Sequence, residues 1–480
     1  MAVMIKKMMC YADDDPDGDG WGGPSIENPY FNTSPRHSYN VGNDFNHQSD
    51  FTQYYTERVI KHWIQEFKID GFRWDLTKGF TQNCSGSNES CTNSYQQDRV
   101  DVLKSYADYS WSLDDSHYVI FEHLGQDNEE QQWANYRLNE NKGIMLWGKM
   151  TDQYNQLTMG FNSNNDITRM GHESRGFNAP RLMGYAESHD EERLMYKNLE
   201  FGNTSNASHN VQNLNTALSR MSALGAVTMT IPGPKMIWHF GDLGMENSIF
   251  TCNDGSVNLP GGTDGDCKLD TKPQPQWTNN WLNDPIRSQI YNDWARLHEL
   301  KIDEDVFEGD YAINSGNTLT PRIYVFDNNL PASSLKNVVV LANFDVTARN
   351  ITPDFPYTGE WYDLMDETGS TSINVNNTTA AINIPAGEFR IYGNAPSTLS
   401  NNQFNQEKIA LYPNPTSNAF KLSVNAKTVK IYNTLGKEVK SFKAVNAHQI
   451  LNISELKTGL FFVQIIDESD VKETLKLIKR

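Results

Sequence analysis

Residues 71 to 75 read Gly-Phe-Arg-Trp-Asp, an apolar run that closes on a carboxylate with an arginine two positions before it. Alternate side chains of an extended strand share a face, so Arg73 and Asp75 are expected side by side, the guanidinium keeping the carboxylate ionised and aimed. Two more acids close strand-like runs. Tyr118-Val119-Ile120-Phe121 leads into Glu122, and Leu182-Met183-Gly184-Tyr185 leads through Ala186-Glu187-Ser188-His189 into Asp190. A lone acid after an apolar run is ordinarily a solvated strand end. Three of them, the first preceded by an arginine and the third by a histidine, make a set that could divide proton transfer and nucleophilic attack among carboxylates.

Acids so distant in sequence meet only if the fold gathers strand ends. Strand-like runs at 69–75, 118–123, 144–147, 182–188 and 235–240 alternate with helical stretches near 95–112, 210–224 and 284–300. A helical stripe of Tyr55, Val59, Trp63 and Phe67, with Ile60 and Ile64, precedes them. The alternation argues for an α/β fold, a parallel sheet with crossover helices. Closed into a (β/α) barrel, such a sheet would bring the three acids to its C-terminal face.

Phe72-Arg73-Trp74-Asp75-Leu76-Thr77-Lys78, Ile120-Phe121-Glu122-His123 and Ser188-His189-Asp190 resemble the second, third and fourth signature regions of glycoside hydrolase family 13, the α-amylase family. The resemblance runs from about residue 20 to 395. It implies that Asp75 is the nucleophile, Glu122 the general acid/base and Asp190 the stabiliser of the transition state. It also implies that Arg73 and His189 bind around the site and that Lys78 reaches a leaving-group subsite. Retaining glycosidases need one carboxylate to attack the anomeric carbon and a second, protonated one about 5–5.5 Å away to protonate the leaving oxygen. Their environments must therefore differ. Arg73 is expected to keep Asp75 charged, while Phe121 and its neighbours desolvate Glu122 and raise its pKa.

The same resemblance implies a (β/α)8 TIM barrel in which the nucleophile stands on the fourth strand, so the five runs are strands four to eight. The family's first region, an Asp followed after three residues by Asn-His, has no match in Met1 to Asp19, and Asn46-His47 reads as loop. On this reading the barrel is partial and N-terminally truncated, with unpaired edges. Residues 13–45 are then the remnant of the domain B loop after the third strand. In it, Asp15, Asp17 and Asp19 stand at i, i+2 and i+4 among glycines, as in calcium loops, although the glutamate expected at the twelfth position is replaced by Ile26. Calcium is the one cofactor considered, and a solvated acidic turn is the competing reading. Trp147 and Trp238 read either as platforms for a sugar ring or as core.

The net charge is −19, which speaks against nucleic acid as partner. No apolar run approaches the roughly 18 residues that span a bilayer. Cys84 pairs in sequence with Cys91, and Cys252 with Cys267, each pair closing a short Gly- and Asn- or Asp-rich loop without Cys-x-x-Cys spacing. Both are expected to be disulfides worth about 2.5–3 kcal/mol each, which implies an oxidising compartment. Cys10 is left over.

Short strands at Arg322–Phe326, Val338–Phe344, Glu360–Leu364 and Ala380–Tyr392 resemble the all-β sandwich that follows the barrel in amylases, domain C. Residues 406–480 hold 12 Lys and Arg against 7 Asp and Glu, a balance of +5 that leaves −24 on the rest. Their opening Tyr412-Pro413-Asn414-Pro415 and basic end Lys479-Arg480 resemble the C-terminal sorting domain of the type IX secretion system. A small starch-binding β-sandwich is the alternative. The expected organisation is thus a barrel domain at 1–302, domain C at 303–395, a linker at 396–405 and a sorting β-sandwich at 406–480. The expected protein is secreted or held at the cell surface, with an α-glucan polysaccharide and the type IX machinery as partners. The implied activity is hydrolysis of α-1,4-glucosidic bonds of starch or glycogen. A maltodextrin hydrolase, a debranching enzyme, or a non-catalytic glucan-binding surface protein with an incomplete barrel are the alternatives left open.

Overall fold

The computed structural model describes residues 23–39, 42–259, 267–268, 279–397, 410–466 and 472–480. Asp15, Asp17 and Asp19, Cys10, and most of the linker at 396–405 lie outside them. The chain divides into two compact units, Met1–Leu399 and Ser400–Arg480.

In the first unit, β1 (Gly71–Trp74), β2 (Tyr118–Phe121), β3 (Met145–Lys149), β4 (Leu182–Tyr185) and β5 (Lys235–Met236) form one sheet in sequence order, every neighbouring pair parallel. Helices Gln97–Leu113, Asp127–Ala134, Thr151–Met159 and Met221–Met229 stand in the crossovers. Parallel neighbours need such connections, and a helix buries its apolar stripe on the sheet face. Among the described residues, β1 and β5 each pair on one side only, so the sheet is open rather than closed. Gly71 is required at the start of β1, because a Cβ there would stand 2.7 Å from Tyr118 Cβ.

Two sequence expectations need correction. Helix Asp50–Phe67 buries Thr52, Ile60 and Ile64, whereas Trp63 and Phe67 are 41% and 58% exposed and lie against each other at 4.7 Å. Its apolar stripe is wider than the one face it packs on helix Gln97–Leu113. The run at 380–392 is two strands, Ile382–Ile384 and Phe389–Gly393, because Gly387 takes a positive φ of 77° in the turn between them.

Helix Pro285–Asp303 starts where Asp284 accepts hydrogen bonds from the Ile286 and Arg287 N–H groups and proline fills the first turn. It leads into a six-stranded antiparallel sheet whose central strand, Asn337–Ala342, is buried throughout. Period-2 alternation sends Val338, Val340 and Ala342 into the core shared with the crossover helices, and Val339 and Leu341 into a second core under Trp361. In the C-terminal unit, sheets of three and four strands enclose Phe420, Val429, Ile431, Val463, Ile465 and Leu477. No helix among the described residues is long and apolar enough to cross a membrane.

Candidate active site

Register delivers the first two acids together. Trp74 is opposite Phe121 in the β1–β2 ladder, so Asp75 and Glu122 leave adjacent strands at the same level, tied by a 3.0 Å bond from the Glu122 N–H to the Trp74 carbonyl. Arg73 then bridges them. One of its Nη atoms pairs with Asp75, and the other lies 2.6 Å from Glu122 Oε2. The sequence expectation set Arg73 beside Asp75 and around the site; in the structure one Nη atom is hydrogen-bonded to Asp75 and the other makes an ion pair with Glu122.

The two carboxyl groups have different surroundings. The Asp75 side chain is 71% exposed and that of Glu122 only 12%. Burial pushes Glu122 up to about 7, against the downward pull of the Leu76 N–H and Arg73 and with the added upward push of Asp75. The Leu76 N–H reaches Glu122 Oε2 at 3.0 Å because Leu76 sits in the left-handed region at φ 45°, a conformation that costs a non-glycine residue about 1–3 kcal/mol.

Behind the acid lies a buried ion network. The Thr77 N–H donates to the Glu122 carbonyl at 3.0 Å, and the Thr77 hydroxyl meets His123 Nδ1 at 3.0 Å. His123 Nε2 is 3.0 Å from Glu129 Oε2, and Arg99 forks onto the same carboxylate at 2.7 and 2.6 Å. Burial lowers His123 to about 4, so the ring is neutral and its Nε2–H donates to Glu129. Arg99 also donates to the carbonyls of Lys78, Thr92 and Ser94, pinning the loop that the Cys84–Cys91 disulfide closes. Lys78 Nζ is held by Asn93 Oδ1 at 2.9 Å and lies 5.3 Å from the Tyr39 ring.

Asp190 stands beyond the end of β4. Its carboxylate is met by Lys268 Nζ at 2.7 Å and His189 Nε2 at 3.4 Å. Burial pushes this group up, but Lys268, His189 and Arg73 outweigh it and the net shift is downward. Arg73 therefore acts on all three acids. Lys268 follows Cys267, which is bonded to Cys252, and the chain just before Cys252 is anchored where the Ser248 hydroxyl and Ile249 N–H donate to Glu192 at 2.5 and 3.0 Å.

Several of these residues escaped the sequence reading. Lys268 carried no signal except its place beside a cysteine, and Arg99 and Glu129 look like ordinary helix-surface charges until their burial is known. Trp147, one of the two candidate sugar platforms, is 5% exposed and lies beneath Arg73, with its ring centroid 4.2 Å from the guanidinium carbon. It cannot face a sugar. Trp238 stays partly exposed, 5.8 Å from the His189 ring. Asn46-His47 is loop, as expected, but His47 is buried, stacked on Phe80 at 3.8 Å. Among the described residues, no group of three or more His, Cys, Asp or Glu is placed to hold a metal ion.

Residues 410–480 match the family model described as secretion system C-terminal sorting domain. None of the curated proteins matches this sequence. Among solved structures, the chain is similar to an Anoxybacillus α-amylase, with 14% identity and a TM-score of 0.50 over 77% of this chain and 71% of that one. It is similar to a pullulanase from Bacillus acidopullulyticus, with 15% identity and a TM-score of 0.52 over 77% of this chain and 43% of that one. A type I pullulanase from Bacillus subtilis in complex with maltose gives 14% identity and a TM-score of 0.53 over 76% and 50%. The chain thus spans half or less of either pullulanase. At these identities the likeness is one of fold.

Proposed function

We propose that this chain is a retaining glycoside hydrolase of α-glucans, related to the α-amylase family. The observation that carries the reading is the shared guanidinium of Arg73 between an exposed Asp75 and an enclosed Glu122. Two carboxyl groups on adjacent strand ends, one largely exposed and one enclosed and raised to about 7, match the unequal pair that retention requires.

In this mechanism Asp75 attacks the anomeric carbon while Glu122 gives its proton to the leaving oxygen. The glycosidic bond breaks and a covalent ester to Asp75 forms. Glu122, now a carboxylate, takes a proton from water, which attacks the same carbon and frees Asp75. Asp190, held ionised by Lys268 and His189, faces the positive charge that develops on the ring. No step is assigned to calcium, whose expected turn at Asp15 to Asp19 lies outside the described residues.

Starch or glycogen is the substrate we favour, cut at α-1,4 bonds. The presence of pullulanases among the similar folds keeps a debranching activity as the second reading. Residues 406–480 are proposed to pass the chain to the type IX secretion machinery, and the two disulfides suit an extracellular destination. Reducing-sugar release from amylose and from pullulan by the full chain and by Asp75→Asn decides among these readings. Release from amylose that Asp75→Asn abolishes supports the α-amylase reading, and release from pullulan alone favours debranching. Retention on a starch affinity gel without any release would sink catalysis in favour of a glucan-binding protein.

A further inference from the structure

Trp147 belongs to none of the three signature segments and lies on β3, between the strand that ends at Glu122 and the strand that leads to Asp190. Its indole face lies against Arg73, 4.2 Å from the guanidinium carbon. The Tyr185 ring at 5.2 Å and the His189 ring at 6.0 Å also pack against it, in T-shaped arrangements at 68° and 71°. Arg73 bridges Asp75 and Glu122, and His189 contacts Asp190, so one side chain touches the partners of all three acids. The Trp147 N–H has no hydrogen-bond partner among the described residues. What the ring offers the site is its face and its edge.

We propose that Trp147 is the positioning residue that sets the geometry of the three carboxylates, fixing the Arg73 fork by cation–π contact and the His189 ring by an edge-to-face contact. The physics favours such a role in a buried place. An arginine over a tryptophan face gains most when both are desolvated, and aromatic edges and faces at these distances prefer perpendicular packing. Arg73 is only partly exposed and its chain is on the edge strand, where no second neighbouring strand among the described residues restrains it. Without the indole face the guanidinium is free to rotate toward the exposed Asp75 and leave Glu122, whose environment then becomes less favourable to a charge. His189 loses its stop at the same time. A merely structural tryptophan would affect thermal stability and leave the ionisation of Glu122 alone.

The inference rests on the proposed glycosidase reading only for its kinetic arm, so two readouts are paired. The first is the titration of Glu122, followed by 13C NMR of carboxyl-labelled glutamate in the full chain and assigned by its loss in Glu122→Gln. The second is the pH profile of kcat/KM on amylose. Trp147→Leu removes the face, Trp147→Phe keeps one, and Trp147→Met serves if the leucine variant does not fold. The expected result is an upward move of the Glu122 midpoint in the leucine or methionine variant, with kcat/KM down about 10–30-fold and its basic limb moved the same way. Trp147→Phe should restore most of both. A Glu122 midpoint identical in wild type and in the folded variant without a ring would overturn the proposal, whatever happens to the melting temperature. Wild type inactive on every glucan would remove the glycosidase reading, and the NMR titration would still decide this one.

Discussion

Lys268 Nζ lies 2.7 Å from Asp190 Oδ1 and 3.3 Å from the Asp190 carbonyl, one residue past a disulfide-bonded cysteine. An ammonium this close favours the charged carboxylate. The Cys252–Cys267 bond ties it to Cys252, and Ser248, four residues before Cys252, is held by Glu192 two residues beyond Asp190. Lys268→Met should therefore move the acidic limb of kcat/KM to higher pH, since Asp190 loses the first of the cations that hold it ionised. Reducing the disulfide should produce much of the same shift, and Lys268→Met should add little in the reduced protein. Fully additive effects in that double cycle would separate the lysine from the disulfide.

In the proposed mechanism Glu122 carries a proton to act as the acid, and burial raises it to about 7. Activity on amylose is then expected to be flat below about pH 7 on this account and to fall about tenfold per unit above it. Glu122→Gln should lower kcat by about 10³-fold and abolish that limb. A glycoside with a leaving group too good to need protonation should recover most of the loss in the first step.

The Arg99–Glu129 pair is wholly inaccessible to solvent, with His123 on the same carboxylate. Removing one partner strands a buried charge, at a cost of about 3–5 kcal/mol. Arg99→Met should lower the urea midpoint accordingly and release the Lys78–Ser94 loop. Faster proteolysis near the Cys84–Cys91 loop would be the local sign of that release.

Glu130 offers a pH test of stability away from the reacting groups. It is fully buried, with the Gly125 N–H at 3.0 Å and Arg175 at 3.4 Å, and burial raises it from 4.5 to about 7. The folded state therefore holds a proton that the unfolded chain has already lost. The contribution is fully present below about pH 4.5 and is lost as pH rises through about 7. Glu130→Gln should melt close to wild type at pH 4.5 and increasingly above it by pH 8. A constant difference in melting temperature across that range would contradict the assignment.

The placement of the acids at strand ends was legible in the sequence because it depends on neighbours along the chain. Strand ends, the arginine two residues before Asp75 and the histidine before Asp190 are all short-range features, and five parallel strands in sequence order followed from the alternation of helix and strand periods. Cysteine spacing likewise anticipated both disulfides. Which groups surround each acid was decided only by tertiary structure. Register set Glu122 beside Asp75, a left-handed turn at Leu76 aimed an N–H at the enclosed carboxyl, and strand order put Trp147 under Arg73. Burial separated Glu122 from Asp75, and it depends on packing among residues far apart in the chain, as does the arrival of Lys268 from 78 residues beyond Asp190. Sequence spacing carries no information about such contacts, because solvent exclusion and electrostatic distance exist only once the elements have packed.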